Sequence, residues 1–537
     1  MKKTMIRYIA WMVVGVQVLT ACQADFEKIN TDFRHPTEKD LNLDGLKVGG
    51  FLTTFQQTIF PVGTTGTDYV NDYQIPYTLA GACWMGYMSP PQNKWVGRGF
   101  PSYALRAWSD YTFNIMYKRA IGNYMELKER TADDVAVRAM IDIIKIATIH
   151  KATDSFGPIP YSHPDGRNSL LAVYDSQEQV YRSMLKELDE AVQTLSKQAR
   201  NILPNYDMIY AGDYTRWGKL ANSLMLRLAM RVVYAEWQLA KEYAEKAVSN
   251  PFGIIETTAD IAQLSRGAGI TLNNPLVIIN GSYNDVRMGA EIYSYMKGYD
   301  DPRIDTYFLK GKMGQTVDFY PVFKSLDKVD SYLSREDGVD AKIFSSLNVE
   351  NATPIYIMKA SEVAFLRAEG ALRGWDMGGK TADAYYNEGI SLSFRENGVA
   401  DNKLNGYITG QGKPVKFVDP VNPANNKDAV STITVPWQNN NDFEQSLERI
   451  ITQKYIALYP DGQEAWSEYR RTGYPHIFTA TFIRTDAEVD PRTGPTRIPY
   501  SNKEYTDNGE NIKKAVELLG GADNGATRLW WDKKPNK

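Results

Sequence analysis

Apolar residues recur at three- and four-residue spacing along much of this chain, the mark of helices with one buried face. Trp108, Tyr111, Ile115, Tyr117, Ile121, Tyr124 and Met125 form one such series. Val137, Ile141, Ile144 and Thr148 form another. There Met140, Ile143, Ile146 and Ala147 make the helix apolar nearly all round, which predicts a place deep in the core. Amphipathic helices are predicted at 174–195, 214–234, 237–248, 361–373, 382–395 and 444–459. They fall in pairs separated by short breaks. The predicted fold class is therefore mainly α, with helix pairs resembling a tetratricopeptide-type scaffold, although no strict repeat signature is present. The segments 63–99, 257–284, 310–353 and 404–442 lack this periodicity and are rich in Gly, Asn, Asp and Tyr. Irregular segments of that length in a compact domain are usually functional. They are expected to gather on one side of the scaffold, with a few short strands.

The chain has 537 residues, room for two to four domains or one large repeat architecture. Lys and Arg number 61 against 64 Asp and Glu, which argues against a nucleic-acid partner. Two cysteines, Cys22 and Cys83, exclude a disulfide framework and a multi-cysteine zinc site. Tyrosine dominates the aromatics, with 34 Tyr beside 11 Trp and 19 Phe, which suits surfaces apolar on one side and wet on the other.

The N-terminus reads as an address. Lys2, Lys3 and Arg7 precede an apolar stretch from Ile9 to Val18, too short to span a bilayer core of ~30 Å. Leu19-Thr20-Ala21-Cys22 then resembles the lipobox of bacterial lipoproteins, so residues 1–21 are expected to be cleaved and Cys22 to be acylated. Several acyl chains on one residue anchor stably where a single chain does not. Asp25 and Glu27 beside that cysteine resemble the acidic export signal of surface lipoproteins in Bacteroidetes-type bacteria. Residues 22–50 are polar and read as an extended lead-in, with 51–537 as a single domain.

Catalytic and metal motifs are absent. Asp40-Leu41-Asn42-Leu43-Asp44-Gly45 opens like an EF-hand loop, but Phe51 stands where the bidentate Glu is needed. His35, His150, His163 and His476 lie outside metal-ligand spacing of one another. No P-loop, dinucleotide fingerprint or nucleophile elbow occurs, and Gly63-Thr64-Thr65-Gly66 lacks the P-loop lysine. Cys83 has no identifiable histidine partner and reads as an inert core thiol. No catalytic residue, metal ligand or cofactor is assigned. A surface glycanase or peptidase is disfavoured, since no carboxylate stands in a setting that marks it as catalytic.

Several segments, in order, resemble the SusD/RagB family of outer-membrane nutrient-binding lipoproteins. They are Phe26-Glu27-Lys28-Ile29-Asn30-Thr31-Asp32 with Pro36-Thr37, and Thr153-Asp154-Ser155-Phe156-Gly157-Pro158-Ile159-Pro160-Tyr161. Next come Asp213 to Leu224 (DYTRWGKLANSL), Asp301-Pro302-Arg303, and Glu362 to Glu369 (EVAFLRAE). The C-terminal matches are Ile451 to Leu458 (ITQKYIAL), Glu464 to Pro475 (EAWSEYRRTGYP), Arg497-Ile498-Pro499-Tyr500 and Trp530-Trp531-Asp532. Phe33 departs from the pattern, standing where a proline is common. Physically these are scaffold residues. Asn222 and Arg227 are expected to satisfy loop backbone, and Arg470 and Arg471 to hold carboxylates or carbonyls between elements.

The resemblance implies a SusD-like fold, with ligand-binding loops on the helix-pair scaffold, mainly at 63–99 and 257–353. It also implies capture of an oligosaccharide, delivered to a SusC-like TonB-dependent transporter on which the protein sits as a lid. Peptide capture, as in RagB-like members, is the alternative. Other surface lipoproteins of the same locus are further expected partners. By family position the candidate ligand residues are Tyr69, Tyr73, Trp84, Tyr87, Asn93 and Trp95 in the first loop region, then Tyr283, Asn284 and Arg287. Packing is the competing reading for Trp84 and Trp95, and Trp108 and Trp217 are expected in the core.

Overall fold

The computed structural model describes residues 45–535 apart from 65–68, 96, 165–170, 265–266, 268, 325–342, 440–441, 481–487 and 491. The expected signal peptide, Cys22, His35 and most of the lead-in lie outside the described residues. Residues through Gly50 form one unit and Phe51–Lys537 a second, compact one.

The expected mainly α architecture is present. After α1 (Leu46–Gln56), α2 (Val70–Tyr73) runs directly into a π-helical stretch, Gln74–Ala82, kinked at Ala80. α3 (Ser109–Phe113), a π turn (Asn114–Lys118) and α4 (Arg119–Arg130) follow one another without a break. Then come α5 (Val135–Phe156), α6 (Gln177–Leu195), α7 (Tyr214–Arg231) and α8 (Trp237–Ser249). From α4 to α8 each helix packs on its predecessor. Three short helices, α9 (Leu276–Asn280), α10 (Ala290–Gly298) and α11 (Ile304–Tyr307), separate this row from α12 (Ala360–Leu372) and α13 (Ala382–Glu396). α14 (Leu404–Thr409), α15 (Phe443–Leu458), α16 (Gly462–Thr472), α17 (Asn502–Asp507) and α18 (Gly509–Leu519) complete the helices. α12 joins the two rows, packing on α7, α13 and α15.

Among the described residues the strands form four two-stranded antiparallel sheets. β1 (Gly63–Thr64) pairs with β4 (Leu272–Asn273), and β2 (Met88–Ser89) with β5 (Arg287–Met288). β3 (Ala262–Leu264) pairs with β8 (Ile355–Met358), and β6 (Gly311–Met313) with β7 (Thr316–Asp318).

Local chemistry explains the long helices. Asp134 caps α5, accepting from the Ala136 and Val137 amides at 3.1 Å each, and Ser176 and Gln179 form a reciprocal capping box on α6. Asp461 caps α16, which Gly473 ends in the left-handed region at φ 82°. α5 is buried around nearly its whole circumference, as its apolar pattern predicts. Two expectations need correction. Segment 63–99 is not irregular throughout, because α2 and the π-helix cross it. Every residue of the π-helix but the half-buried Ile75 is buried, polar and apolar alike, so no amphipathic stripe marks it. Trp108 closes a 3-10 turn (Leu105–Trp108) and is half-buried, not a core residue of a helix face.

The helices meet around a buried ionic cluster. Five cations, Arg227, Arg231, Lys454, Arg470 and Arg471, lie among five carboxylates, Asp154, Glu362, Glu369, Glu464 and Glu468. Arg227 of α7 grips Glu362 of α12 at 2.6 Å. Arg231 reaches Glu464 and Glu468 of α16 at 2.6 Å each and Asp154 of α5 at 3.3 Å. Arg471 bridges Glu369 and Glu468 at 2.6 and 2.7 Å, and Lys454 of α15 stands 3.2 Å from Glu468. Arg470 donates to the carbonyls of Asp154 and Thr496. The last two arginines thus hold carboxylates and carbonyls as expected. Asn222 donates to the Gly253 carbonyl at 2.8 Å, and Arg227 adds the Ile357 carbonyl to its carboxylate.

Burial alone would raise the Glu468 carboxyl, but Arg471, Lys454 and Arg231 outweigh it and hold it well below the ordinary value. Such a group is protonated more readily in the unfolded chain, so its stabilisation is complete above the ordinary carboxylate pKa and fades as pH falls through the folded one. Glu468→Gln is therefore expected to cost about 3–5 kcal/mol at pH 7. In denaturant titrations its deficit relative to the wild-type chain should shrink steadily below about pH 4.5. A deficit independent of pH would refute this assignment.

Candidate functional site

The pairing of β2 with β5 places Ser89 opposite Arg287 and so lays the residues after 89 beside those before 287. Asp285 is the hub of this junction. Its fully buried carboxylate accepts from Gln74 of the π-helix at 2.7 Å, from Gln92 at 2.8 Å and from Lys94 at 3.0 Å on each oxygen. Gln92 also donates to the Asn284 carbonyl at 2.9 Å. Charge-assisted bonds of this kind fix the two loops to each other and to the helix beneath.

The same Lys94 ammonium lies over the Trp95 ring, 4.7 Å from its centroid, and 5.8 Å from that of Tyr283. Trp95, Tyr283 and Asn284 are half-buried, so each keeps part of its surface toward solvent. Arg287 is buried behind them. It donates to the carbonyls of Asn280 and Val286 at 2.9 and 2.7 Å and to the side-chain oxygen of Asn284. Asn284 itself sits at φ 53°, a conformation that asparagine tolerates better than most residues. The outcome is a pair of aromatic rings from two loops, surrounded by amides and one ammonium. Such a surface can stack on an apolar ring face and hydrogen-bond at its rim.

Trp95 is backed by a row of rings. It meets Trp108 edge to face at 5.2 Å, Trp108 meets Phe100 at 5.5 Å, Phe100 meets Trp84 at 5.5 Å, and Trp84 meets Trp466 of α16 at 4.6 Å. Gly99, at φ 62°, lies directly under Trp108, where an added Cβ would stand 2.2 Å from the indole. At the other end of the row, Gly81 faces Gly462 so closely that a Cβ would approach the Gly462 carbonyl to 2.6 Å. That contact seats the π-helix on α16.

The structure therefore divides the sequence candidates. Trp95, Tyr283, Asn284 and Arg287 come together. Asn93 belongs to the same 3-10 turn (Asn93–Trp95), its side chain outside the described residues. Tyr69 is exposed at 39% and lies beside Arg119, 5.5 Å from its ring centroid, away from this contact set. Tyr73, Trp84 and Tyr87 are corrections. Tyr73 packs on Phe60 and Tyr77. Trp84, 3% exposed, gives its indole N–H to the Phe100 carbonyl at 2.9 Å. Tyr87 stacks on Tyr455 at 4.6 Å and donates to its carbonyl. Trp84 and Tyr87 are held by neighbours on every side and leave no face for a ligand, while Tyr73, 4% exposed, lies outside the Trp95–Tyr283 contact set. Trp217 is in the core as expected, donating to Asp207 at 2.8 Å. Gln74, Gln92, Lys94 and Asp285 escaped the sequence reading, since polar residues in aperiodic segments carry no local signal.

Among the described residues no group of three or more His, Cys, Asp or Glu is placed to hold a metal ion. No described helix is long and apolar enough to cross a membrane. Cys83 is buried, and burial pushes its thiol up, so it is not poised as a nucleophile.

Comparison with known proteins identifies the family and its fold. The family model SusD-like, "Susd and RagB outer membrane lipoprotein", matches residues 28–532. The chain belongs to the SusD-like family. A chitin-binding SusD homologue from Flavobacterium johnsoniae is similar at 36% identity and a TM-score of 0.84, over 91% of this chain and 100% of that one. A SusD homologue from Bacteroides vulgatus is 31% identical with a TM-score of 0.84, over 93% and 100%. One from Bacteroides uniformis is 34% identical with a TM-score of 0.78, over 91% and 99%. No curated protein sequence matches. SusD-like proteins are binding proteins, not enzymes, and this chain is one of them.

The division of the aromatic candidates is testable. In this SusD-like chain Trp84→Ala should cost about 3–5 kcal/mol in chemical denaturation, as removal of a buried tryptophan does. Tyr283→Ala should stay within about 1 kcal/mol of the parent. Equal losses would contradict the division.

Proposed function

We propose that the protein is anchored through acylated Cys22 at the outer face of the outer membrane, where it captures oligosaccharides and passes them to a SusC-like TonB-dependent transporter. The reading rests on one observation, the partly exposed pair Trp95 and Tyr283 on loops locked together by Asp285. Sugar rings present apolar C–H faces to such rings and hydroxyls to the amides around them. Delivery to a transporter that supplies the energy requires no chemistry of this chain. The chitin-binding relative makes chito-oligosaccharides the first probe.

In calorimetric titration with chito-, cello- and malto-oligosaccharides, Trp95→Ala is expected to weaken binding of the preferred series about tenfold, near 1.4 kcal/mol. Unchanged affinity would remove Trp95 from the site, and a chain that ignores all three series yet binds peptides would overturn the glycan reading. The anchor and partner are tested separately. The native protein solubilised in mild detergent should co-purify with a large β-barrel. Cys22→Ser should lose acyl labelling and membrane association together.

A further inference from the structure

α9 has polar surface at both ends. Beyond its C-terminus lie Tyr283 and Asn284. Before its N-terminus, the stretch 271–276 lines two adjoining cavities that no candidate residue touches except Tyr73. The larger, about 370 Å³, carries Thr271, Asn273, Asn274, Asn351 and Thr353 around an apolar floor that includes Val62 and Ile355. The smaller, about 110 Å³, shares Asn274, Thr353 and Ile355. Four tyrosines surround it, Tyr73, Tyr307, Tyr356 and Tyr459, with Asn348 and Asn397 at its edge.

Two groups in the smaller cavity hold unused bonding capacity. Lys359 is buried and donates to the carbonyls of Ala457 at 2.7 Å and Tyr459 at 2.9 Å, two of the three bonds an ammonium can give, and it lies over one face of the Tyr356 ring, 4.7 Å from the centroid. Asp461 spends one oxygen on the Glu464 amide at 3.1 Å while it caps α16. Of the residues lining the two cavities only these are charged, and their charges cancel. The remaining chemistry is amide, hydroxyl and tyrosine over an apolar floor. An anionic or cationic ligand gains nothing there, since each opposite charge has a like charge beside it. An uncharged polyhydroxyl ring uses all of it: C–H faces against Tyr356, hydroxyls to the amides, and one hydroxyl between Lys359 and Asp461.

We propose that this groove is a second glycan subsite, separate from the Trp95–Tyr283 pair, which takes uncharged oligosaccharides with a terminal ring in the tyrosine-lined pocket. Saturation-transfer NMR on the full mature chain tests it, with chitotetraose, cellotetraose and maltotetraose as probes. Trp95→Ala/Tyr283→Ala, which lacks the aromatic pair, should still show transfer to at least one tetrasaccharide. Adding Tyr356→Ala and Asn348→Ala should cut that transfer at least fivefold at an unchanged melting temperature. Tyr356→Phe, which keeps the ring, should retain it. Absence of transfer in the pair-less variant, or transfer indifferent to Tyr356→Ala, would overturn the subsite. Failure of the first site reads out differently, as tight binding by the parent chain that is insensitive to Trp95→Ala.

Discussion

Everything in this fold leans on the ionic cluster between α5, α7, α12, α15 and α16. Bringing ten charged groups out of water is costly, and each pair taken alone would be a poor bargain against apolar packing. The set works because every charge has more than one partner. Glu468 faces Arg231, Arg471 and Lys454, and Arg231 faces three carboxylates from two helices. Satisfying all of them fixes the azimuth of each helix at once. Apolar contacts alone leave rotation and sliding less tightly defined, because shape complementarity among aliphatic side chains tolerates small shifts.

That rigidity is passed outward along rings. The Arg470 guanidinium lies 3.3 Å from the Trp466 ring centroid, and Trp466 leads through Trp84, Phe100 and Trp108 to Trp95. The partly exposed indole is thus the end of a column rooted in the cluster. Asp285 braces the same loop from the other side. If the proposed site binds there, a surface preorganised in this way loses little conformational entropy when a ligand arrives.

Much of the scaffold could be read from the sequence because its helices have one wet face or, like α5, an unbroken apolar run that admits little else. The π-helix was illegible for the opposite reason. Gln74 and Thr78 are as buried as Leu79, so polarity and burial no longer track each other. The candidate surface was half legible. Aromatics in an aperiodic segment drew attention to 63–99, yet Trp84 and Trp95 carry the same local signal and end in different places. What separates them is Trp466, far away in sequence. Asp285 was invisible for the same reason, since its partners Gln74 and Lys94 are 211 and 191 positions away.

The way these bonds are spent constrains what the surface can recognise. Arg287 is committed to two carbonyls and Asn284, and Asp285 to Gln74, Gln92 and Lys94, so the strongest charges near the rings are already answered within the chain. At the proposed site a ligand would meet mainly ring faces and amides. Discrimination then falls to geometry, to the spacing and tilt of Trp95 and Tyr283, more than to charge. Both depend on the register of β2 against β5. Side chains alternate faces along a strand, so a slip of one residue would turn Arg287 outward and carry Asp285 away from Lys94. A two-residue strand pair is too short to hold that register by its own ladder. The Gly289 amide extends it with a bond to the Tyr87 carbonyl at 3.1 Å, and the bonds of Asp285 brace the opposite end, so the hub that braces the loops also helps to set the distance between the rings.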